Sequence, residues 1–322
     1  MKWFIFQQEV LLMGRMIISK LINIVITLFI IASITFFLMK LLPGSPFDEE
    51  KLSELSDEER LEFLARYDLD KPVHIQYVNY LGNLVKGDLG ISYYYKGQSV
   101  TSLISKRIAP SAILGIQAVV LGLSIGIILG MVAAFRHNTI WDYSTMVIAV
   151  LGISIPNFVL AAILQFYVGL KWGLFPVAYW ESYQSSILPT ISLGVTVIAI
   201  IARFTRNEML EVLDQDYIVT AQAKGIGDFA VLVKHAIRNA LIPVVTIMGP
   251  VFVSLLTGSL VIENIFSIPG IGSLFVDSIK TNDYTTIMGL TLFYSAFFIL
   301  TILVVDLLYT VIDPRVRVRG KE

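Results

Sequence analysis

The chain has 322 residues, is 56% hydrophobic and only 15% charged, and carries a formal net charge of −1. That balance suits a polytopic membrane protein, disfavours a large soluble core, and suggests no nucleic-acid partner. Cysteine is absent, which excludes disulfides, thiolate chemistry and Cys-based metal sites without revealing the redox compartment.

Uncharged runs extend through Leu21 to Met39, Ile108 to Phe135, Tyr143 to Leu170, Ser182 to Ala202, Asn239 to Ile262 and Tyr284 to Val305. Each meets or exceeds the roughly 20 residues that a helix needs to cross about 30 Å of hydrocarbon. The expected fold is therefore all-α, with six transmembrane helices whose interior prolines, Pro156, Pro189 and Pro250, are tolerated by packed neighbours. Arg15 and Lys20 precede the first run as they would in a signal peptide, but the run is too long and no small-x-small cleavage site follows it. It is expected to stay as an anchor, giving a segment 1–20, a first helix 21–42, a loop 43–107, a five-helix core 108–312 and a tail 313–322.

Within the long first loop, SDEERLEFLARY places Leu61, Phe63 and Leu64 near one helix face, with Ser56 and Glu59 at capping-box spacing. Tyr67, Tyr77, Tyr80 and the Tyr93-Tyr94-Tyr95 run supply apolar mass for a small folded cap. These tyrosines are expected to pack that cap or sit at the membrane interface, ahead of contacting a substrate or docking protein.

The second span carries Gly122, Gly126 and Gly130 at four-residue spacing, a smooth face for close helix packing within the chain or against another subunit. Ionisable residues within or beside the spans are few. Glu263 and Asp306 lie near helix ends, where each is expected to be solvated or to cap a neighbour. Their scarcity argues against a proton-coupled carrier. Gln117, Asn157, Gln165, Thr196 and Thr257 could line a polar path or form interhelical hydrogen bonds.

Between the fourth and fifth spans lies a polar, helix-prone island, DYIVTAQAKGIGDFAVLVKHAIRNALIP, from Asp216 to Pro243. Helix formers run from Tyr217 to Lys224, Gly225-Ile226-Gly227 breaks the pattern, and a second amphipathic run extends from Asp228 to Ala240. The expectation is helix, turn and helix outside the bilayer, offered to a soluble partner. The distribution of Lys and Arg puts this island (203–240 with its flanks) and both termini on the cytoplasmic side.

Enzymatic readings fare badly. His74, His137 and His235 are far apart and fall on both sides of the membrane, and no Walker A sequence occurs. Gly225 to Ala230 matches GxGxxA, but no strand precedes it and no βαβ unit can surround it.

The island resembles the EAA loop of ABC-importer permeases. Val219-Thr220-Ala221 stands at the EAA triplet, Gly225 at its glycine and His235-Ala236-Ile237-Arg238 at the closing element, with Val219 replacing Glu and Arg238 replacing Pro. Asp216 to Gly225 and His235 to Thr246 are more closely similar to the oligopeptide and dipeptide branch. So are Thr35 to Phe47, Tyr67 to Pro72, Tyr95 to Val100, Gly152 to Pro156, Ile262 to Phe275 and Ile312 to Arg315. Over nearly its whole length the chain resembles the B-type permease subunit of an oligopeptide importer, with a type I ABC importer permease fold.

That resemblance implies a bacterial plasma-membrane assembly of this chain with a homologous second permease, two cytoplasmic ATP-binding subunits and an extracytoplasmic peptide-binding protein. It implies a peptide substrate, a surround of membrane lipid, no enzymatic activity and no cofactor in this chain, with ATP and Mg bound by the partner subunits. Coupling would fall to Asp216, Tyr217, Thr220, Ala221, Ala223, Lys224, Gly225, His235 and Arg238, with Ala221 and Ala223 allowing close approach of the ATPase. A bulky or charged residue at Ala221 or Gly225 is expected to abolish uptake and spare membrane insertion. A secondary carrier or a non-transporting scaffold are the competing classes, and dipeptide and nickel permeases share much of the pattern.

Overall fold

The computed structural model describes residues 2–42, 47, 56–95, 97–232 and 236–312. Among them the structure is all-α, with one isolated antiparallel bridge between Ile91 and Ser99. The helices are α1 (Lys2–Leu41), α2 (Asp57–Arg66), α3 (Val73–Val85), α4 (Val100–Phe135), α5 (Ile140–Ser154), α6 (Asn157–Leu164), α7 (Ile187–Leu213), α8 (Asp216–Ala223), α9 (Asp228–Val231), α10 (Ile237–Ile265), α11 (Ile271–Lys280) and α12 (Tyr284–Ile312).

Among the described residues four helical stretches are long and apolar enough to cross a membrane: Ile18–Leu41, Val100–Phe135, Tyr183–Leu213 and Tyr284–Val305. The expected third span is not one straight rod. It breaks at Ile155-Pro156, where Ile155 is extended (ψ 118°), and α5 meets α6 with its π-helical continuation Gln165–Lys171 at a 96° bend. Proline supplies the cause, since it forces the preceding residue out of the helical region and offers no N–H of its own. The fifth expected span lies inside the 29-residue α10. That helix begins at Ile237, so the end of the amphipathic run expected outside the bilayer is continuous with the span. Of the rest of that run, α9 covers only Asp228–Val231.

The chain forms two compact units. The first comprises Met1–Arg107 with Leu274–Leu303. Its helix α2 carries the expected capping box: the Glu59 N–H donates to Ser56 Oγ (3.4 Å) and the Ser56 N–H donates to Glu59 Oε2 (2.9 Å). The tyrosines pack with one another and with phenylalanines. Tyr80 stacks on Phe36 at 5.4 Å, and Tyr67 meets Phe47 and Tyr93 at 5.2 Å each. Asp283, fully buried, caps α12 by accepting the Thr286 N–H (3.3 Å), and it also accepts the Thr286 hydroxyl (2.7 Å), the Tyr93 N–H (3.0 Å) and the Ser92 hydroxyl.

The second unit comprises Ile108–Ser273 with Val304–Glu322, and α7 is its centre, packed against α5, α6 and α10. Leu188, Leu193, Val197 and Ile201 of α7 join Leu114, Val244, Val251, Leu255 and Ile262 in one apolar core. The glycine stripe of α4 serves this packing. A Cβ at Gly122 would collide with Val197, one at Gly126 would lie 2.8 Å from Ile201 Cβ, and one at Gly130 2.6 Å from the Ala202 carbonyl. All three glycines therefore face α7 of the same chain. Four of the five polar residues considered from the sequence, Gln117, Asn157, Gln165 and Thr196, make internal ties: Thr190 donates to Gln117 (2.8 Å), Thr196 to Asn157 (2.5 Å), and Gln165 to the carbonyls of Val177 (2.7 Å) and Ile265 (3.0 Å).

Candidate functional site: a short helix and its seat

Helix α8 is eight residues long, too short to persist alone in water, so tertiary packing must hold it. Ile218 and Ala221, three residues apart and so on one face, are 1% and 6% exposed. They enter a second apolar cluster with Ala134 at the end of α4, Met209 of α7, Val231 at the end of α9 and Leu232 after it, and Ala236 and Ala240 at the start of α10. Asn239 Nδ2 donates to Tyr217 Oη at 2.8 Å, a polar tie from α10 to the same helix.

The end of α8 is a Schellman cap. The Ile226 N–H reaches back to the Ala221 carbonyl (3.3 Å) and the Gly225 N–H to that of Gln222 (2.9 Å). This places Gly225 at φ +80°, with nothing within 4 Å of where a Cβ would stand. Glycine is needed there for its backbone, not for close approach to a neighbour. Ile226, the residue after it, packs back onto the cluster, the apolar contact that accompanies this cap.

The opposite face is open. Asp216, Tyr217, Val219, Thr220, Gln222, Ala223, Lys224 and Gly225 are all exposed, as is Arg238 at the start of α10. The exposed set mixes one carboxylate, one ammonium, one guanidinium and the apolar surface of Val219 and Tyr217, which suits a protein surface more than a small ligand. The expected coupling residues thus divide. Asp216, Tyr217, Thr220, Ala223, Lys224, Gly225 and Arg238 are accessible, whereas Ala221 is buried in the apolar cluster of its own chain. His235 lies outside the described residues.

Beside this seat stands a charge cluster that sequence reasoning missed. Asp142, in the first turn of α5 and 1% exposed, accepts from Arg206 Nε (2.5 Å) and Nη2 (2.8 Å), from the Asn138 N–H (3.1 Å) and from His137 Nδ1 (2.9 Å). Asp142 and Arg206 are 64 residues apart in sequence, so no local pattern pairs them. The available signal was an acidic residue at the head of an apolar run, facing an arginine in another.

Glu263 is also buried, with 0% exposure, and is not solvated. It follows the other expectation and caps a neighbour: Oε2 accepts the N–H groups of Gly272 (2.7 Å) and Ser273 (3.3 Å) at the head of α11, while Ser111 Oγ accepts that of Ile271 (2.8 Å). The side chain of Asp306 is outside the described residues.

The family of binding-protein-dependent transport system inner membrane components matches residues 126–318, and the N-terminal membrane-component model of such systems matches residues 13–109. The chain belongs to this permease family. A dipeptide transport system permease protein, DppB, of Bacillus subtilis (strain 168) is 47% identical over 96% of the chain and 100% of its own length. The oligopeptide transport system permease protein OppB of Escherichia coli (strain K12) is 41% identical over 95% and 100%. Among solved structures, an inward-facing MetNI methionine ABC transporter chain aligns with TM-score 0.54 at 17% identity, covering 66% of this chain and 96% of that one. A chain of an amino acid ABC transporter aligns with TM-score 0.52 at 13% identity, covering 65% and 94%. These place the permease in the type I ABC importer fold, as a multi-pass membrane protein.

Proposed function

We propose that this permease forms half of the translocation pathway of an ATP-driven peptide importer, pairing with a homologous permease. Peptide arrives from an extracytoplasmic binding protein, and ATP with Mg is held by two cytoplasmic ATPase subunits. The observation that carries this reading is α8: an amphipathic helix that the chain seats on its own core through Ile218 and Ala221 while leaving a mixed polar and apolar face uncovered. The names of the DppB and OppB relatives support a di- or oligopeptide cargo. The Lys and Arg distribution supports cytoplasmic termini and a cytoplasmic α8.

In this mechanism α8 is a lever. Closure of the ATPase dimer on nucleotide pushes α8, the push passes through Ile218 and Ala221 into α4, α7 and α10, and hydrolysis resets it. Binding energy for nucleotide can shift the transport equilibrium only if the two conformations contact the ATPase differently, and the open face of α8 is where such a difference can be made.

The test is purification of the tagged permease from its native membrane in mild detergent. Recovery of a second permease and two ATPases, with ATP hydrolysis stimulated by peptide-loaded binding protein, is expected. A chain that purifies alone and moves substrate down an ion gradient would overturn the reading.

A further inference from the structure

A lever transmits only if its mounting is stiff. The apolar cluster around the buried face of α8 includes α4 through Ala134 and α7 through Met209, besides residues of α9 and α10. Arg206 lies three residues before Met209 on the same face of α7, and His137 lies three residues after Ala134. Arg206 and His137 both close on Asp142, which opens α5. The apolar seat of α8 and the charge cluster are thus consecutive layers of one joint, from α8 to Met209, Arg206, Asp142 and α5.

We propose that Asp142 and Arg206 are positioning residues of the coupling step, a strut that makes α5 move with α7 when α8 is pushed. The claim rests on the importer reading above and adds the route by which the push travels. Both carboxylate oxygens are engaged, by two different guanidinium nitrogens, so the pair resists rotation as well as separation. Asp142 is too buried for water to replace a lost partner, so small slippage is penalised and the joint has discrete positions, not a continuum. His137 and the Asn138 N–H fix the connection between α4 and α5 to the same oxygen, Oδ2, so three helices meet at one side chain.

The experiment uses the full complex reconstituted with its binding protein, measuring peptide moved per ATP hydrolysed. Single replacements leave one charge buried alone and can fail to fold, so the decisive variant is the doubly neutral Asp142→Asn with Arg206→Gln, which strands no charge. It is expected to assemble with the second permease and the ATPases at wild-type yield while the peptide-to-ATP ratio falls at least ten-fold. Arg206→Lys, which keeps the charge and loses the fork, should lie between it and wild type. A doubly neutral variant with a wild-type ratio overturns the strut. So does one that no longer assembles, because the pair is then a folding requirement. A wild-type chain that recovers no ATPases fails differently: it removes the importer reading itself.

Discussion

Asp142 and Glu263 are two buried carboxylates in one compact unit, and opposite means compensate them. Asp142 faces a guanidinium fork. Glu263 has no cation among its described partners and leans on the first amides of α11, where the helix presents unpaired N–H groups and a partial positive charge. The two regions also lie far apart. Ala240, in the seat of α8, and Glu263 stand near opposite ends of α10, separated by about 35 Å at 1.5 Å rise per residue. The Asp142 pair ties the side chains of two helices together, whereas the Glu263 clamp ties one side chain to the backbone amides of a turn. The end near α8 is thus joined by a charge pair, and the far end by a carboxylate on backbone amides.

The largest effect should come from Asp142→Ala, which leaves Arg206 without its counter-charge at a site only 19% exposed. A loss of about 3–5 kcal/mol is expected, read as a fall in unfolding midpoint of the detergent-solubilised protein or as failure to accumulate. Glu263→Ala strands two amides and should cost about 3 kcal/mol by the same measurement. The amide-like replacements separate the two designs. Glu263→Gln keeps a carbonyl oxygen for Gly272 and Ser273 and should cost about 1 kcal/mol, while Asp142→Asn removes the charge that the guanidinium needs and should cost about 3 kcal/mol. Equal losses for the two would break the distinction between fork and clamp.

What could be read in the sequence was what is local. The apolar runs, the Ser56–Glu59 capping box, the Gly122, Gly126 and Gly130 stripe and the helix–glycine–helix character of the island each depend on residues within a turn or two of one another. The inward turn of Ala221 was only partly legible. Ile218, Ala221 and Ile226 carry the apolar spacing, but in an eight-residue helix so short a stripe does not say whether the chain's own core or a partner covers it. The 96° bend had a signal in Ile155-Pro156, yet proline also occurs inside α4, where Pro110 does not end the helix. The Asp142 fork and the Glu263 clamp were illegible as partnerships. The first joins distant segments; the second uses backbone amides, which every residue but proline has and no sequence pattern marks.

Glycine sharpens the contrast at a lower energy. Around the clamp the glycines are steric: a Cβ at Gly270 would collide with Glu263 and lie 2.5 Å from Ser111 Oγ, and one at Gly272 would lie 2.7 Å from Leu260 Cα. Gly272→Ala, pressed against backbone, should cost about 2–3 kcal/mol by overpacking. In the seat of α8, Gly225→Ala meets open space and pays only for its left-handed backbone, about 1–2 kcal/mol, fraying the end of that helix. A bulky residue at the exposed Ala223 should instead leave thermal stability unchanged and lower peptide uptake, and unchanged uptake would detach α8 from coupling.

The smallest effect isolates what burial adds to an amide clamp. Glu59 makes the contact Glu263 makes, a carboxylate accepting a backbone N–H, but in full solvent. The Ser56 hydroxyl and N–H hold its carboxyl below the usual carboxylate value. A depressed folded-state pKa means that the cap's contribution is complete above the unfolded value near 4.5 and is lost as pH falls through the lower folded value. Amide hydrogen exchange across α2, corrected for intrinsic rates, should therefore hold its protection down to about pH 5 and lose it progressively below that range. Glu59→Gln should flatten this dependence, because glutamine accepts the same N–H at every pH. A pH profile for α2 that survives Glu59→Gln would assign the effect to another group and leave the exposed clamp without measurable weight.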